Sequence, residues 1–242
     1  MEEKGRVLGK QGLFTKGIPA RLRGWWNLYR MKGYWDRCAK ENARQHIAIH
    51  DWESEERFHE SGVRDCKKIL SSRYIQIDRG ARILELGCGI GRLLKPLALE
   101  RRDVELYGVD VSSEMIRQGR ERLKDFPNLH LHEINGKDLA LFENGFFDVV
   151  FSYITLQHVP REYHAGLFRE VHRVLRQGGL FTFQMQSLAD KNKQEPGKND
   201  FRTIRSYTPD VLRTMCTQCD FNVLEMNEPH HGNDYLYVTV RK

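Results

Sequence analysis

The chain has 242 residues, 40% of them apolar, enough to bury the core of one large α/β domain with appendages. A formal net charge of +6 is mild, and much of the excess lies near the N-terminus, so charge alone does not mark a nucleic-acid binder. Five cysteines without a regular framework argue against a disulfide-stapled secreted fold. No stretch reaches the roughly 20 apolar residues that span a bilayer, and the expectation is a cytoplasmic protein.

Residues 1–35 form a basic arm carrying the aromatic cluster Trp25, Trp26, Tyr29, Tyr34 and Trp35. Basic and aromatic residues together suit docking on a membrane surface, a nucleic acid or a partner, or packing back onto the domain. Over residues 36–80 the spacing of Ala39, Ala43, Ile47, Phe58, Val63 and Ile69 predicts a cap of two or three helices, broken near His50 and Gly62.

Residues 81–242 then alternate strand and helix, the pattern of a parallel sheet covered on both faces. Arg82 to Leu86 reads as a buried strand, glycines stand at 87, 89 and 91, and a helical apolar pattern resumes at Leu93. In a strand, glycine turn and helix of this kind, one glycine turns the chain, one lets a ligand touch backbone, and one lets helix and strand pack closely. Glu85 sits inside the apolar strand and needs a cationic or hydrogen-bonding partner there. Further strands are predicted at Glu105 to Val109, Leu129 to Ile134, Asp148 to Tyr153 and Leu180 to Met185, with helices over Ser113 to Leu123 and Glu162 to Leu175. Phe221 to Met226 and Tyr235 to Arg241 are joined by a link too short for a helical crossover, which predicts an antiparallel pair.

The segment ELGCGIG, followed by YGVDVSSEM and FDVVFSYITLQHVP, resembles the signatures of class I S-adenosylmethionine-dependent methyltransferases. The resemblance implies a Rossmann-like sheet of seven strands, mostly parallel and ending in an antiparallel hairpin, with S-adenosyl-L-methionine as cofactor and S-adenosyl-L-homocysteine as product. It implies in-line displacement on the methyl carbon, and a cofactor set of Glu85, Gly87, Cys88, Gly89, Gly91, Asp110, Val111, Met115, Asn135, Gly136, Ser152 and Tyr153. Asp110 takes the place of the acidic ribose ligand, Val111 and Met115 flank the adenine, and Asn135 stands where many relatives have an aspartate. Each has a plainer reading: Asp110 as a helix cap, Val111 and Met115 as core, Asn135 and Gly136 as a turn pair.

The resemblance also implies that the helices before the first strand cover the cofactor, which makes Tyr34 and Trp35 candidates for the roof and for substrate contact. Ligands in open α/β sheets bind beyond the carboxyl ends of the strands, so further substrate contacts are sought at Gln157, His158, His230 and His231. His158 is the candidate general base, because imidazole titrates near neutral pH, or else a histidine that orients its loop. Residues 187–206 leave the ligand end of the sheet, and a lid is expected there. Cys216 and Cys219 lack the second pair that a zinc site needs, so no metal is expected. The motif after the fourth strand differs from that of amino-methylating DNA enzymes, and the similarity to metabolite-modifying members implies a small-molecule acceptor methylated on oxygen or nitrogen rather than nucleic acid, with carbon methylation of a quinone or lipid precursor left open. An RNA or protein acceptor docked by the arm, and a noncatalytic cofactor-binding subunit, are the alternatives, and the oligomeric state stays open.

Overall fold

A computed structural model describes residues 20–48, 51–188, 204–227 and 234–242, with side chains from residue 27 onward. Eight strands form one sheet: β1 (Arg82–Leu86), β2 (Glu105–Asp110), β3 (Leu129–Glu133), β4 (Phe147–Ser152), β5 (Leu175–Ser187), β6 (Ser206–Tyr207), β7 (Asn222–Met226) and β8 (Tyr235–Arg241). They lie in the order β3-β2-β1-β4-β5-β8-β7, with β6 pairing β5. The β1 to β5 pairings are parallel, and β8 runs antiparallel to both β5 and β7. This is the expected Rossmann-like arrangement, with the two-residue β6 as an extra rung.

The alternation of β1 divides the core. Leu84 and Leu86 pack with Phe168 and Val171 on one side, and Ile83 packs with Ile69, Leu94 and Leu97 on the other. Helix α5 (Arg161–Val174) supplies the first set, while α2 (Glu55–Ile69) and α3 (Leu94–Glu100) supply the second. Helix α4 (Ser113–Arg122) packs on β2 and β3, and α6 (Pro209–Gln218) on β7. Helix starts follow local chemistry: the side chains of Ser54, Ser112 and Thr208 accept from Arg57, Met115 and Val211 N–H. Cys216 and Cys219 are buried, and burial pushes the Cys216 thiol up to about 12, so both pack as apolar groups.

Three local expectations change. Helix α1 (Ala20–Ile47) runs straight across the boundary placed at residue 35, and it is interrupted only at Asn42, whose backbone is non-helical and whose Oδ1 accepts from Gln45 N–H. Helix α2 passes through Gly62 unbroken. Its glycine is required by contact, since a Cβ there would lie 2.3 Å from the Arg92 carbonyl oxygen. The β3–β4 link, residues 134–146, forms no helix; its Phe142 and Phe146 rings pack against Tyr107 instead.

Polar ties hold the helical cap to the sheet. Glu55 is held by Arg122 of α4 at 2.6 Å and Lys95 of α3 at 3.2 Å, which bring its carboxyl down to about 2. Asp36 of α1 accepts from Ser112 Oγ at 2.7 Å and from Glu114 N–H at 3.2 Å, and Lys32 reaches Glu133 at 2.8 Å. Burial works to raise the Asp36 carboxyl, but these bonds and the Lys32 charge outweigh it and hold it below its ordinary value.

Gly62→Ala should destabilise the fold by about 1–3 kcal/mol, because the new methyl overlaps backbone, and thermal unfolding should fall by several degrees. Gly33, in α1 and with nothing within 4 Å of a built Cβ, provides the contrast: Gly33→Ala should add about 0.5–1 kcal/mol.

Candidate functional site

The glycine turn after β1 is the floor of a pocket walled by residues of α1, the end of β2 and the segment after β4. Gly87, Gly89 and Gly91 all have positive φ (82°, 53° and 77°). Each is also a point of close approach. A Cβ at Gly87 would lie 2.0 Å from Thr155, one at Gly89 3.3 Å from Ile47, and one at Gly91 2.3 Å from Leu123. Gly91 therefore serves the packing of α4 and is not on the pocket wall, whereas Gly87, Cys88 and Gly89 are.

Two carboxylates face this turn. Asp110, at the end of β2, accepts from Gly89 N–H and Ser112 N–H, both at 2.9 Å, one on each oxygen. Burial raises its carboxyl above the ordinary value although these bonds oppose the shift. Each oxygen keeps a lone pair for a ligand hydroxyl. Glu85 is 2% exposed, and its Oε2 has no hydrogen-bond partner among the described residues. Burial raises its carboxyl well above the usual range, partly opposed by the charge of Arg92 and reinforced by that of Asp110. Arg92 itself is engaged elsewhere, donating to Asp65 at 2.6 Å and Ser61 at 3.2 Å on α2. Among the described residues, the partner that the sequence demands for Glu85 is thus not fully supplied.

Helix α1 roofs the pocket with Met31, Trp35, His46 and Ile47. The Trp35 ring meets His158 edge-on at 5.4 Å between centroids, and Tyr34 packs on Trp35 at 5.2 Å without reaching the pocket wall. His46 lies 3.5 Å from Glu41. Val111, Met115 and Gly136 line the end nearest β2, and a Cβ at Gly136 would sit 2.9 Å from Val111 and 3.1 Å from Met31. Asn135 points away into a turn of its own, its Oδ1 accepting from Lys137 and Asp138 N–H.

Beyond β4 the chain lines the other wall with Tyr153, Ile154, Thr155 and His158. Ser152 lies beneath them, fully buried, donating to Leu86 O at 2.8 Å. Ile154 has φ of 56°, a conformation that costs a β-branched residue of order 1–3 kcal/mol. A short 3₁₀ turn (Leu156–His158) follows. Gln157 is buried behind the wall with its Nε2 3.4 Å from His158 Nε2, and His164 on α5 braces the turn through Leu156 O at 2.9 Å and Tyr207 OH at 2.6 Å. Burial lowers His164 to about 4, so it stays neutral and structural. His230, His231 and most of the expected lid lie outside the described residues.

The sequence reading therefore brings together Trp35, Glu85, Gly87, Cys88, Gly89, Asp110, Val111, Met115, Gly136, Tyr153 and His158 on one pocket. It misses Arg92, Thr155, Ile154 and His46. Arg92 had a legible signal, a charge directly after the last glycine of an apolar stretch; His46 had none, since it reaches the pocket through the interruption at Asn42.

A family model for a methyltransferase domain matches residues 83–179. A trans-aconitate 2-methyltransferase of Rhodopseudomonas palustris (strain BisB18) is 27% identical over 190 residues, covering 70% of this chain and 71% of that protein. Among solved structures, the methyltransferase in the complex with the Haloferax volcanii Trm112 methyltransferase activator superposes with a TM-score of 0.68 at 16% identity, covering 86% of this chain and 96% of that one. Haemonchus contortus phosphoethanolamine N-methyltransferase 2, bound to phosphomonomethylethanolamine and S-adenosylhomocysteine, gives 0.63 at 19% identity, covering 74% of this chain and 52% of its own. Among the described residues no helix is long and apolar enough to cross a membrane.

A buried carboxyl with a raised folded value contributes stability that is complete below the unfolded value and lost as pH rises through the folded one. Glu85→Gln should therefore stabilise the ligand-free protein, and its gain in stability over the unsubstituted chain should grow as pH is raised from 5 to 9, approaching about 1–3 kcal/mol. Thermal unfolding across that range checks it.

Proposed function

The chain belongs to the class I S-adenosylmethionine-dependent methyltransferases, and from that premise we propose that it methylates an oxygen or nitrogen of a small-molecule acceptor. Bound S-adenosylmethionine supplies a methyl group already activated by its sulfonium. The residues fit that cofactor: Glu85 offers a buried carboxylate oxygen with no partner among the described residues, suited to the ammonium of the methionyl end, and Asp110 keeps lone pairs for the ribose hydroxyls. Val111, Met115 and Gly136 form an apolar slot for the adenine. Cys88 and the backbone of Gly87 and Gly89 form the floor between these two ends. Asn135, with its Oδ1 spent on its own turn, is left out of this set.

The observation that carries the small-molecule reading is the roof. Trp35 and Met31 of α1 lie over the pocket, and α1 is fastened beside it through Asp36 and Lys32. A roofed pocket excludes water from the acceptor and holds it close to the wall, and it suits a metabolite better than a polymer strand. His158, edge-on to Trp35, sits where it can take a proton from the acceptor as the methyl arrives. Tyr153 and Thr155 shape the same wall, while Gln157 backs His158 from behind. The trans-aconitate and phosphoethanolamine specificities of relatives support an acceptor of that size.

The test supplies the protein with methyl-labelled S-adenosylmethionine and a cell extract separated into metabolite, lipid, protein and nucleic-acid fractions. Label is expected in the metabolite fraction; label confined to protein or RNA would overturn the small-molecule reading. Asp110→Ala should weaken S-adenosylhomocysteine binding by about 10- to 100-fold, as expected for lost bonds to a charged acceptor. His158→Asn should leave that affinity alone and slow transfer by about 10²- to 10⁴-fold, the range for a lost general base.

A further inference from the structure

Ile154 stands out in the pocket wall because its backbone is left-handed, at φ of 56°, in a residue type that seldom accepts it. Strain of this kind persists only where the surroundings over-determine it. Three contacts do so here. Gln184, 1% exposed on β5, accepts from Ile154 N–H through its side-chain Oε1 at 3.0 Å. Thr155 Oγ donates to Gly87 O at 3.1 Å, pressed into the space that the missing Cβ of Gly87 leaves free. Thr155 O then accepts from His158 N–H at 2.9 Å, starting the 3₁₀ turn that carries the histidine.

The register explains why a side chain is needed. The last rung of the β4–β5 ladder pairs Ser152 with Phe183. Beyond it, where the next rung would involve Gln184, the chain leaves the ladder and the Gln184 side chain takes the Ile154 N–H. An extended strand would show alternate residues to opposite faces, yet Tyr153, Ile154 and Thr155 all line the pocket. The left-handed residue is what turns three successive residues to one side.

We propose that Gln184 is a positioning residue for methyl transfer: its side-chain carbonyl holds Ile154 in the left-handed conformation, and so sets the place of the Tyr153–Thr155 wall and of His158 at its end. This rests on the methyltransferase reading for its purpose, but the geometry it asserts can be read without an acceptor. Gln184 belongs to neither the cofactor set nor the acceptor contacts, and it acts through Ile154.

The experiment compares the full chain with Gln184→Leu, Ile154→Gly and the double variant, by calorimetry with S-adenosylhomocysteine and by NMR of the backbone amides of residues 153–158 and the His158 ring. In Gln184→Leu the Ile154 N–H loses its acceptor and the strained residue relaxes. The amide and ring signals should shift while S-adenosylhomocysteine affinity stays essentially unchanged, and label transfer into the metabolite fraction should drop by about a hundredfold, the order of loss for a misplaced reacting group. Glycine adopts positive φ freely, so the double variant should recover the wild-type His158 signals and most of the transfer. A Gln184 that merely filled space would give no such rescue. The proposal is overturned if Gln184→Leu leaves the His158 and 153–158 signals in place, or if Ile154→Gly fails to restore them. Failure of the unsubstituted chain to bind S-adenosylhomocysteine would instead overturn the cofactor assignment, with the NMR comparison still deciding the role of Gln184.

Discussion

The absence of a Cβ at residues 87 and 89 is the constraint from which the site is built. Removing those two atoms lets Thr155 of the β4 loop and Ile47 of the cap approach the turn that ends β1. At Gly91 the same absence admits Leu123 and fixes α4 against the turn. The turn backbone is thus clasped from three directions, and its remaining open side is the pocket. Packing at close range, not flexibility, is what the positive φ values serve.

The energetic cost of the site sits in its buried polar groups. Glu85 is held in an apolar strand with one oxygen unpartnered, and Asp110 carries a raised carboxyl in spite of two backbone donors. Buried carboxyl groups of this kind cost stability wherever their bonds are incomplete. Nearby, Arg92 is neutralised by Asp65, and among the described residues Glu85 Oε2 has no hydrogen-bond partner. The roof is fastened by different physics: Lys32 and Asp36 form half-exposed ion pairs and cap-like bonds to the start of α4. Met31, Cys38, Ala39 and Ala43 of the same helix are buried, so packing holds it down while the ion pairs set its register and add little energy.

The β-rich part of the fold was legible because its signals are local. Apolar runs bounded by glycine and polar turns marked β1, β2, β4 and β8 within a residue or two, and the short β7–β8 link required antiparallel pairing. Where a residue served a contact instead of a local conformation, reading failed. Gly62 looks like a helix break but is a helix residue facing the Arg92 carbonyl. The link after β3 looks like one more crossover helix, yet its aromatic residues gain more by covering Tyr107.

By itself the sequence determined the order of strands and helices, the glycine turn, and the acidic residues Glu85 within β1 and Asp110 at the end of β2, because periodicity and turn chemistry act over a few neighbouring residues. It also carried the family signatures. Only the tertiary structure decided which side chains meet: that His158 faces Trp35 from a helix more than a hundred residues earlier, that Gln184 takes the Ile154 N–H, that Asn135 turns away, and that Glu85 is left an oxygen short. These are contacts between distant segments, fixed by sheet register and by how closely helices approach glycines, and no local pattern encodes them.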